Sequence, residues 1–479
     1  MLGMDATALV TALLATTAAA PPAPAVVEEP VVRPAAPTVP KGPARTVMGS
    51  IRVAHRSGTI SWAERQRFEG ELVTAKRAAR RLPAARSRLI SDVLTSAKRI
   101  ARAGRLNGER LEPVMKAVGA TTHQARFLPM PAPGARLQTR GDGLVYEYRP
   151  GSGVQPHPLA SAGRVNALAL DCLVKKRPGK CDKGALLQAA SAVTSLGVRD
   201  GRALRFEYAF RFGTGDPLWT SAMAQATAAQ ALARASRVTD RREDARAATA
   251  SFRAIGSLRM YSFKPSMRVL NGELQMLVGI ADYARISRSR AARRLVRREA
   301  PELVRQLDLW DTGAWTLYDV GGREATLHYH RLAAGFAREA CRRALARGMC
   351  PAARRITRYT WQPPRLSLRH TRITRAGRRV VVRLSASKLA SGFVVVRGPR
   401  DFVWRRAVAL GRSETLLPFR PSRAGRYRVT VSAVAVNGKR GTESGALKVK
   451  PRPKPKPKPK KKPKPKKEPK PRIARGPAG

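Results

Sequence analysis

The stretch VLNGELQMLVGIADYARI, residues 269–286, decides how the middle of this chain is read. Leu270, Leu274, Leu277 and Ile280 recur at helical spacing, so one face of a helix is apolar and faces a core. A second stretch, LWTSAMAQATAAQALARAS at 218–236, is dominated by alanine, and small side chains let helix axes approach closely. Six or seven such helical stretches run from 159 to about 350, joined by short loops. The pattern predicts a mainly α fold of helical hairpins stacked in an arc, an incomplete (α/α) toroid, over residues 126–362.

Upstream, residues 50–125 also have helical periodicity. ISWAERQRFEGELVTAKRAARRL opens with Ser61 and places Glu64 three residues later, a capping-box signature. With a modest apolar face, this helical N-terminal region is expected to pack on its neighbour rather than fold alone. The Pro- and Gly-rich stretch 126–158 includes a short strand at LVYEYRP. Beyond about 363 the apolar period changes to two: RLSLRHTRI, RRVVVRLSA, GFVVVRG, FVWRRAVAL and YRVTVSAVAV are β-rich runs separated by turn residues. Tyr427 opens one of them two residues after Gly425, as the tyrosine-corner strand of immunoglobulin-like sandwiches does. Residues 363–450 are therefore expected to form a C-terminal immunoglobulin-like β-sandwich.

Composition constrains partners more than chemistry. The chain has 479 residues, with 93 Lys and Arg against 32 Asp and Glu, a net charge of +61. Ten Lys, three Arg and one Glu of the total lie in the Pro-rich tail at 451–475. Proline and lysine repulsion would keep residues 451–479 extended, suited to loose attachment to a cell-wall polyanion. The remaining basic charge is diffuse and is not interleaved with aromatics in any nucleic-acid-binding module, which disfavours nucleic acid. The first 25 residues have an apolar run ending in small residues, as an export signal would, although Asp5 stands where a basic start is usual. Residues 26–49 read as a Pro/Ala-rich linker. No later segment has about 20 uninterrupted apolar residues, so no transmembrane helix is expected. The expected location is extracytoplasmic, secreted or wall-associated.

Four cysteines fall as two close pairs, Cys172 with Cys181 and Cys341 with Cys350. Each pair spans a turn that a disulfide could bridge, or the four are separate buried thiols. Neither pair has the spacing of a zinc site.

The remaining signal is LYDVGGREATLHYH, 317–330, with two tyrosines and two of the six histidines. His328 and His330 would share a face of a strand, as some metal sites need. The other histidines are scattered and no HExxH accompanies them, so no metal is expected. Three segments read in order, WTSAMAQ (219–225), MYSFKPSMRVLNG (260–272) and LYDVGGREATLHYH, resemble the C-terminal domain of the D-glucuronyl C5-epimerase family. Trp219, Ser221, Met223 and Gln225 match its first motif. Tyr261, Pro265, Val269, Leu270, Asn271 and Gly272 match the second, Tyr318 and Asp319 the third, and Tyr329 with His330 the fourth. GSGVQPHPLASAG at 151–163 resembles the family's segment before its first helix.

The resemblance implies proton transfer at C5 of uronic-acid residues in an anionic polysaccharide, without an organic cofactor. It implies Tyr261, Tyr318 and Tyr329 as catalytic groups. Trp219, Gln225, Lys264, Asn271, Arg323 and His330 are then the candidate substrate contacts. The chemistry gives the tyrosines a reason, because epimerisation needs proton-transfer groups on both faces of C5 and cations near the phenols. This chain departs from the family pattern at several places. Met260 replaces the acid before Tyr261, Ala226 replaces a glycine, Gly321 and Gly322 replace Arg-His, and Leu327 and His328 replace Trp-Asp. Two other readings follow: a polysaccharide lyase, which begins with the same proton abstraction, and a catalytically inactive protein that binds anionic glycan or cell wall.

Overall fold

The computed structural model describes residues 45–138, 141–174, 178–256 and 258–453. The expected export signal, the linker up to residue 44 and the tail beyond 453 lie outside the described residues. The chain divides into two compact units, one running to Pro363 and including Val436–Lys439, the other Pro364–Ala435 with Arg440 onward.

Among the described residues the first unit has twelve α-helices. Four precede the family-like segment: α1 (Val47–Arg56), α2 (Trp62–Arg81), α3 (Ala84–Arg102) and α4 (Gly108–Phe127). Helix α1 begins inside the stretch read as linker. At the start of α2 the capping box forms as the sequence implies, with Ser61 and Glu64 satisfying each other's backbone N–H. The apolar face of α3, with Leu89, Ile90, Val93, Ala97 and Ile100 buried, is larger than expected and builds a core of its own with Phe68, Leu111, Val114 and Val118. That core also takes in Leu218, and Arg110 holds Glu207 through two hydrogen bonds of 2.6 and 2.9 Å.

Eight helices follow in pairs: α5 (Pro158–Leu173) with α6 (Lys183–Ser195), α7 (Ala222–Thr239) with α8 (Arg242–Arg253), α9 (Leu270–Ile286) with α10 (Arg290–Arg305), and α11 (Leu327–Arg342) with α12 (Met349–Tyr359). Helices α5, α7, α9 and α11 pack serially, and each carries its own pair partner. Alanine makes this possible. Nearly every residue of α7 from Ala222 to Ala235 is buried, so neighbours press on it from several sides. At Gly279 of α9 an added Cβ would lie 3.0 Å from the Ala226 carbonyl oxygen, so the α7–α9 approach is tight and favours glycine there.

A polar chain crosses all four serial helices. Asn166 donates to Gln230 at 3.0 Å, Gln230 to Asp282 at 2.8 Å, and Arg234 reaches both Asn166 and Asp282. Arg343, just after α11, grips the Asp282 carboxylate at 2.8 Å through two nitrogens and Glu339 at 2.6 Å. The carboxylate of Asp282 is held below the usual range; burial opposes this, but Arg343, Arg234 and Gln230 outweigh it.

Short strands interrupt the helices where the sequence reading found none: β3 (Gly153–Pro156), β4 (Gly197–Asp200), β5 (Ala203–Tyr208) and β6 (Trp219–Thr220), besides β1 (Arg136–Leu137) and the expected strand β2 (Tyr146–Arg149). The cysteines pair as Cys172–Cys181 and Cys341–Cys350, excluding the reading of four separate thiols.

Among the described residues the second unit is all β. Strands β11 (Val403–Leu410), β10 (Ala390–Arg397), β13 (Gly425–Ala435), β14 (Arg440–Lys450) and β8 (Ile373–Arg375) form one sheet in that order. β12 (Thr415–Phe419), β9 (Val380–Ala386) and β7 (Leu366–Arg369) form another. Val382 and Leu384 of the smaller sheet share an apolar cluster with Val394, Val396, Val429 and Val431 of the larger. The Tyr427 hydroxyl donates to the Arg423 carbonyl at 2.9 Å, four residues back. Removing it in Tyr427→Phe is expected to lower stability by about 1 kcal/mol, measured by denaturant unfolding, with the strand pairing retained.

Candidate active site

Backbone hydrogen bonds stitch the three motif segments into one site. Ser262 N–H donates to Thr220 O at 3.0 Å and Ala222 N–H to Arg259 O at 3.4 Å, fixing the loop before α9 to β6. Leu270 N–H donates to Tyr318 O at 3.3 Å and Val320 N–H to Arg268 O at 3.2 Å, fixing the next loop to the start of α9. That loop turns back at Gly322, whose φ of +89° suits glycine, and closes through Tyr318 N–H to Arg323 O at 2.6 Å. The Gly-Gly pair in place of Arg-His thus has a local role in the turn. Thr326 then caps α11, and Tyr329 is the third residue of that helix.

The result is a cluster of phenols drawn from distant positions. The Tyr318 and Tyr329 ring centres are 4.7 Å apart, and Tyr318 packs against the aromatic cluster that contains Tyr261. Tyr261 is buried, whereas Tyr329 is 38% exposed, the open member of the three. Burial, together with Tyr329 and Tyr208, pushes the Tyr261 phenol up to about 12, against the opposing pull of Tyr318 and Arg149. Burial likewise raises Tyr318, helped by its two tyrosine neighbours and opposed by Arg323. The Arg323 guanidinium lies 5.2 Å from the Tyr318 ring centre and donates to Asp319 at 2.7 Å.

Under the phenols lies an aromatic floor. Trp219 stacks on Tyr208 at 3.9 Å and meets Tyr261 edge-on at 5.7 Å, and its indole N–H donates to Phe210 O at 2.9 Å. Met260 is buried in this cluster as an apolar residue, with no charge to offer.

Four further residues escaped the sequence reading: Glu147, Arg149, His157 and Tyr208. Glu147 and Arg149 lie two apart on β2, and their side chains meet at 2.5 Å. Arg149 also lies over Phe210 at 5.1 Å and Phe212 at 5.4 Å. The His157 Nε2 atom is 3.3 Å from Glu147, its Nδ1 accepts the Ala160 N–H at 3.1 Å to cap α5, and its ring meets Tyr208 edge-on at 5.4 Å. The alternation of LVYEYRP, with charges at i and i+2 beside the HP of the next segment, was the available signal.

Burial, with help from Arg136 and Arg149, lowers His157 to about 4 despite Glu147. An unfolded histidine takes up a proton near 6.5, so the unfolded chain gains protons first as pH falls. Stability is therefore expected to drop by about 3 kcal/mol between about pH 6.5 and 4 from this group. Urea titrations across that range should show the slope, and His157→Asn, which keeps a capping oxygen, should flatten it.

The structure corrects several expected substrate contacts. The Gln225 amide is committed to the β5 backbone, donating to Leu204 O at 3.3 Å and accepting from Phe206 N–H at 2.8 Å. His330 is fully buried, stacked on Trp315 at 3.6 Å with Nδ1 2.8 Å from the Thr316 hydroxyl. His328 and His330 do not share a strand face, because Thr326 starts a helix there. Arg268, near the tyrosines in sequence, is clamped to Glu273 at 2.7 Å. Asn271 is buried in the first turn of α9, and Lys264 is exposed on the loop before it.

Residues 199–336 match the family model described as D-glucuronyl C5-epimerase C-terminus, in keeping with the resemblance of the three motif segments. The match contains all three clustered tyrosines and Trp219; Glu147, Arg149 and His157 precede it. No curated protein matches the chain.

Proposed function

We propose that this is an exported C5-epimerase-like protein that removes and returns the C5 proton of D-glucuronyl or L-iduronyl residues in an anionic polysaccharide. The convergence of Tyr261, Tyr318 and Tyr329, with Arg149 and Arg323 beside them, carries the reading. On it, the serial hairpins are an incomplete (α/α) toroid and the two sheets an immunoglobulin-like sandwich, with the Lys/Pro tail available to a wall polyanion.

Abstraction leaves the C5–H electron pair delocalised into the adjacent carboxylate, where the arginines offset the developing charge. A proton then returns to the opposite face, so the reaction is redox-neutral and requires no electron carrier. Tyr329, on the open side, is placed to act on one face. The neighbouring Tyr261 and Tyr318, both raised by burial, keep their protons at neutral pH and suit donation to the other. The site resets by exchange with solvent, Tyr329 losing a proton and the buried pair regaining one; in the reverse direction the same steps run backward from the state with the pair one proton short. Trp219 supplies a rigid floor, and Lys264 is free to meet a substrate carboxylate at the rim.

Met260 favours a second reading, a glycan-binding protein without turnover, since an apolar residue stands where the family carries an acid. Incubating the protein with a glucuronate-containing polymer and analysing the uronic-acid configuration separates the readings. Iduronate in chains of unchanged length supports the proposal. An unsaturated, ultraviolet-absorbing product identifies a lyase, and bound but unaltered polymer identifies the binding protein.

A further inference from the structure

We infer that the solvent face of the five-stranded sheet is a docking surface for a linear carboxylated polysaccharide. Burial alternates along β13 and at the ends of β10 and β14: Val394, Val396, Val429, Val431, Leu447 and Val449 point inward, so their neighbours point outward. The strand register then fixes which outward residues are adjacent. Arg397 on β10 pairs with Arg428 on β13, and Arg426 on β13 pairs with Lys448 on β14. Lys450 follows one step along β14, and Arg405 on β11 lies one step beyond Arg397 at the other end. The six form a diagonal stripe from the β11 edge toward the β8 edge, and all six are exposed. With strands about 4.8 Å apart and alternate residues about 6.8 Å apart, the stripe is on the order of 25 Å long.

Charge on this face is unmatched. Among the described residues no Asp or Glu points outward from the sheet, and no ion pair is formed by any member of the stripe. The smaller sheet differs, because Glu414 pairs there with both Arg369 at 2.7 Å and Arg383 at 3.3 Å. A stripe of like charges at such spacing repels itself, and a polyanion laid along it removes that repulsion. Arginine forks are suited to bidentate contact with carboxylates. The one aromatic ring facing outward from the four long strands, Phe393, is covered by the Arg405 guanidinium at 3.9 Å, leaving no bare platform for stacking nucleobases. The surface stands on these observations alone; the choice of a uronate polymer as occupant rests on the function proposed for the first unit.

The test uses the full chain, with binding of a glucuronate homopolymer measured by calorimetry at low and moderate salt. The triple variant Arg397→Gln, Arg426→Gln, Arg428→Gln is expected to bind about tenfold more weakly or worse, with a reduced salt dependence. A control with the same charge change on α10, Arg293→Gln, Arg294→Gln, Arg297→Gln, should stay within about twofold. Lys448→Gln with Lys450→Gln gives an independent second variant of the stripe. Equal losses in stripe and control variants, no loss in either stripe variant, or tighter binding of an oligonucleotide than of the polymer would each overturn the inference. The stripe variants should turn over a short uronate oligomer at the unaltered rate, so a failed turnover assay and a failed docking surface are told apart.

Discussion

Tyr329→Phe is expected to lower C5 proton exchange by about 10²–10⁴-fold, the usual contribution of a positioned general acid or base. The change removes only a hydroxyl from a side chain that is 38% exposed, and phenylalanine keeps the ring contact with Tyr318. Thermal unfolding should therefore be nearly unaltered, which separates a chemical role from a structural one. Tyr261→Phe should produce a loss of similar size, but it alters a buried side chain and so is the less clean variant. The pH profile gives a further readout. Tyr261 retains its proton up to about 12, so loss of this donor should not reduce activity on the alkaline side until near that pH. Activity rising through pH 9 without a descending limb fits the assignment; a descending limb centred near pH 9 would reject Tyr261 as the donor.

Asp282→Ala is expected to destabilise the first unit by about 3–5 kcal/mol, because it leaves buried arginine without its partner. Arg234 and Asp282 are 8% and 1% exposed, and the carboxylate also receives Gln230 and Arg343. Pairing Asp282→Leu with Arg234→Met should recover much of the loss, since it removes the stranded Arg234 while Arg343 keeps Glu339 as a partner. Denaturant unfolding of the single and double variants measures this directly. A loss below about 1 kcal/mol in the single variant would show that water reaches Arg234 and that the chain of contacts across α5, α7, α9 and α11 does not hold the helices together.

The helices were legible because apolar spacing reports a buried face directly, as at Leu270, Leu274 and Leu277. The strands of 197–220 were not, since they are only two to six residues long and their alternation is too brief to stand out from the helical background. The second unit's β12 and β14 escaped for a different reason: β14 carries Gly, Glu and Lys on a half-exposed strand and lacks the β-branched run that marks β9 or β10. For the site, motif order pointed to tyrosines that the fold does bring into contact. It could not reveal that the Gln225 amide turns to a strand backbone, or that His330 is sealed against Trp315, since both depend on tertiary packing. Glu147, Arg149 and His157 were hidden for the converse reason. Each looks like an ordinary strand or loop residue until β2 and the start of α5 are set beside Tyr208.

The most direct measurement of the central claim is solvent deuterium incorporation at C5. The protein would be incubated in heavy water with glucuronate-containing polymers, and the recovered uronic acids read by NMR. The account predicts deuterium at C5 in both uronic-acid configurations, with chain length preserved and the signal lost in Tyr329→Phe. Polymer that binds the protein yet returns with no deuterium at C5 would contradict it.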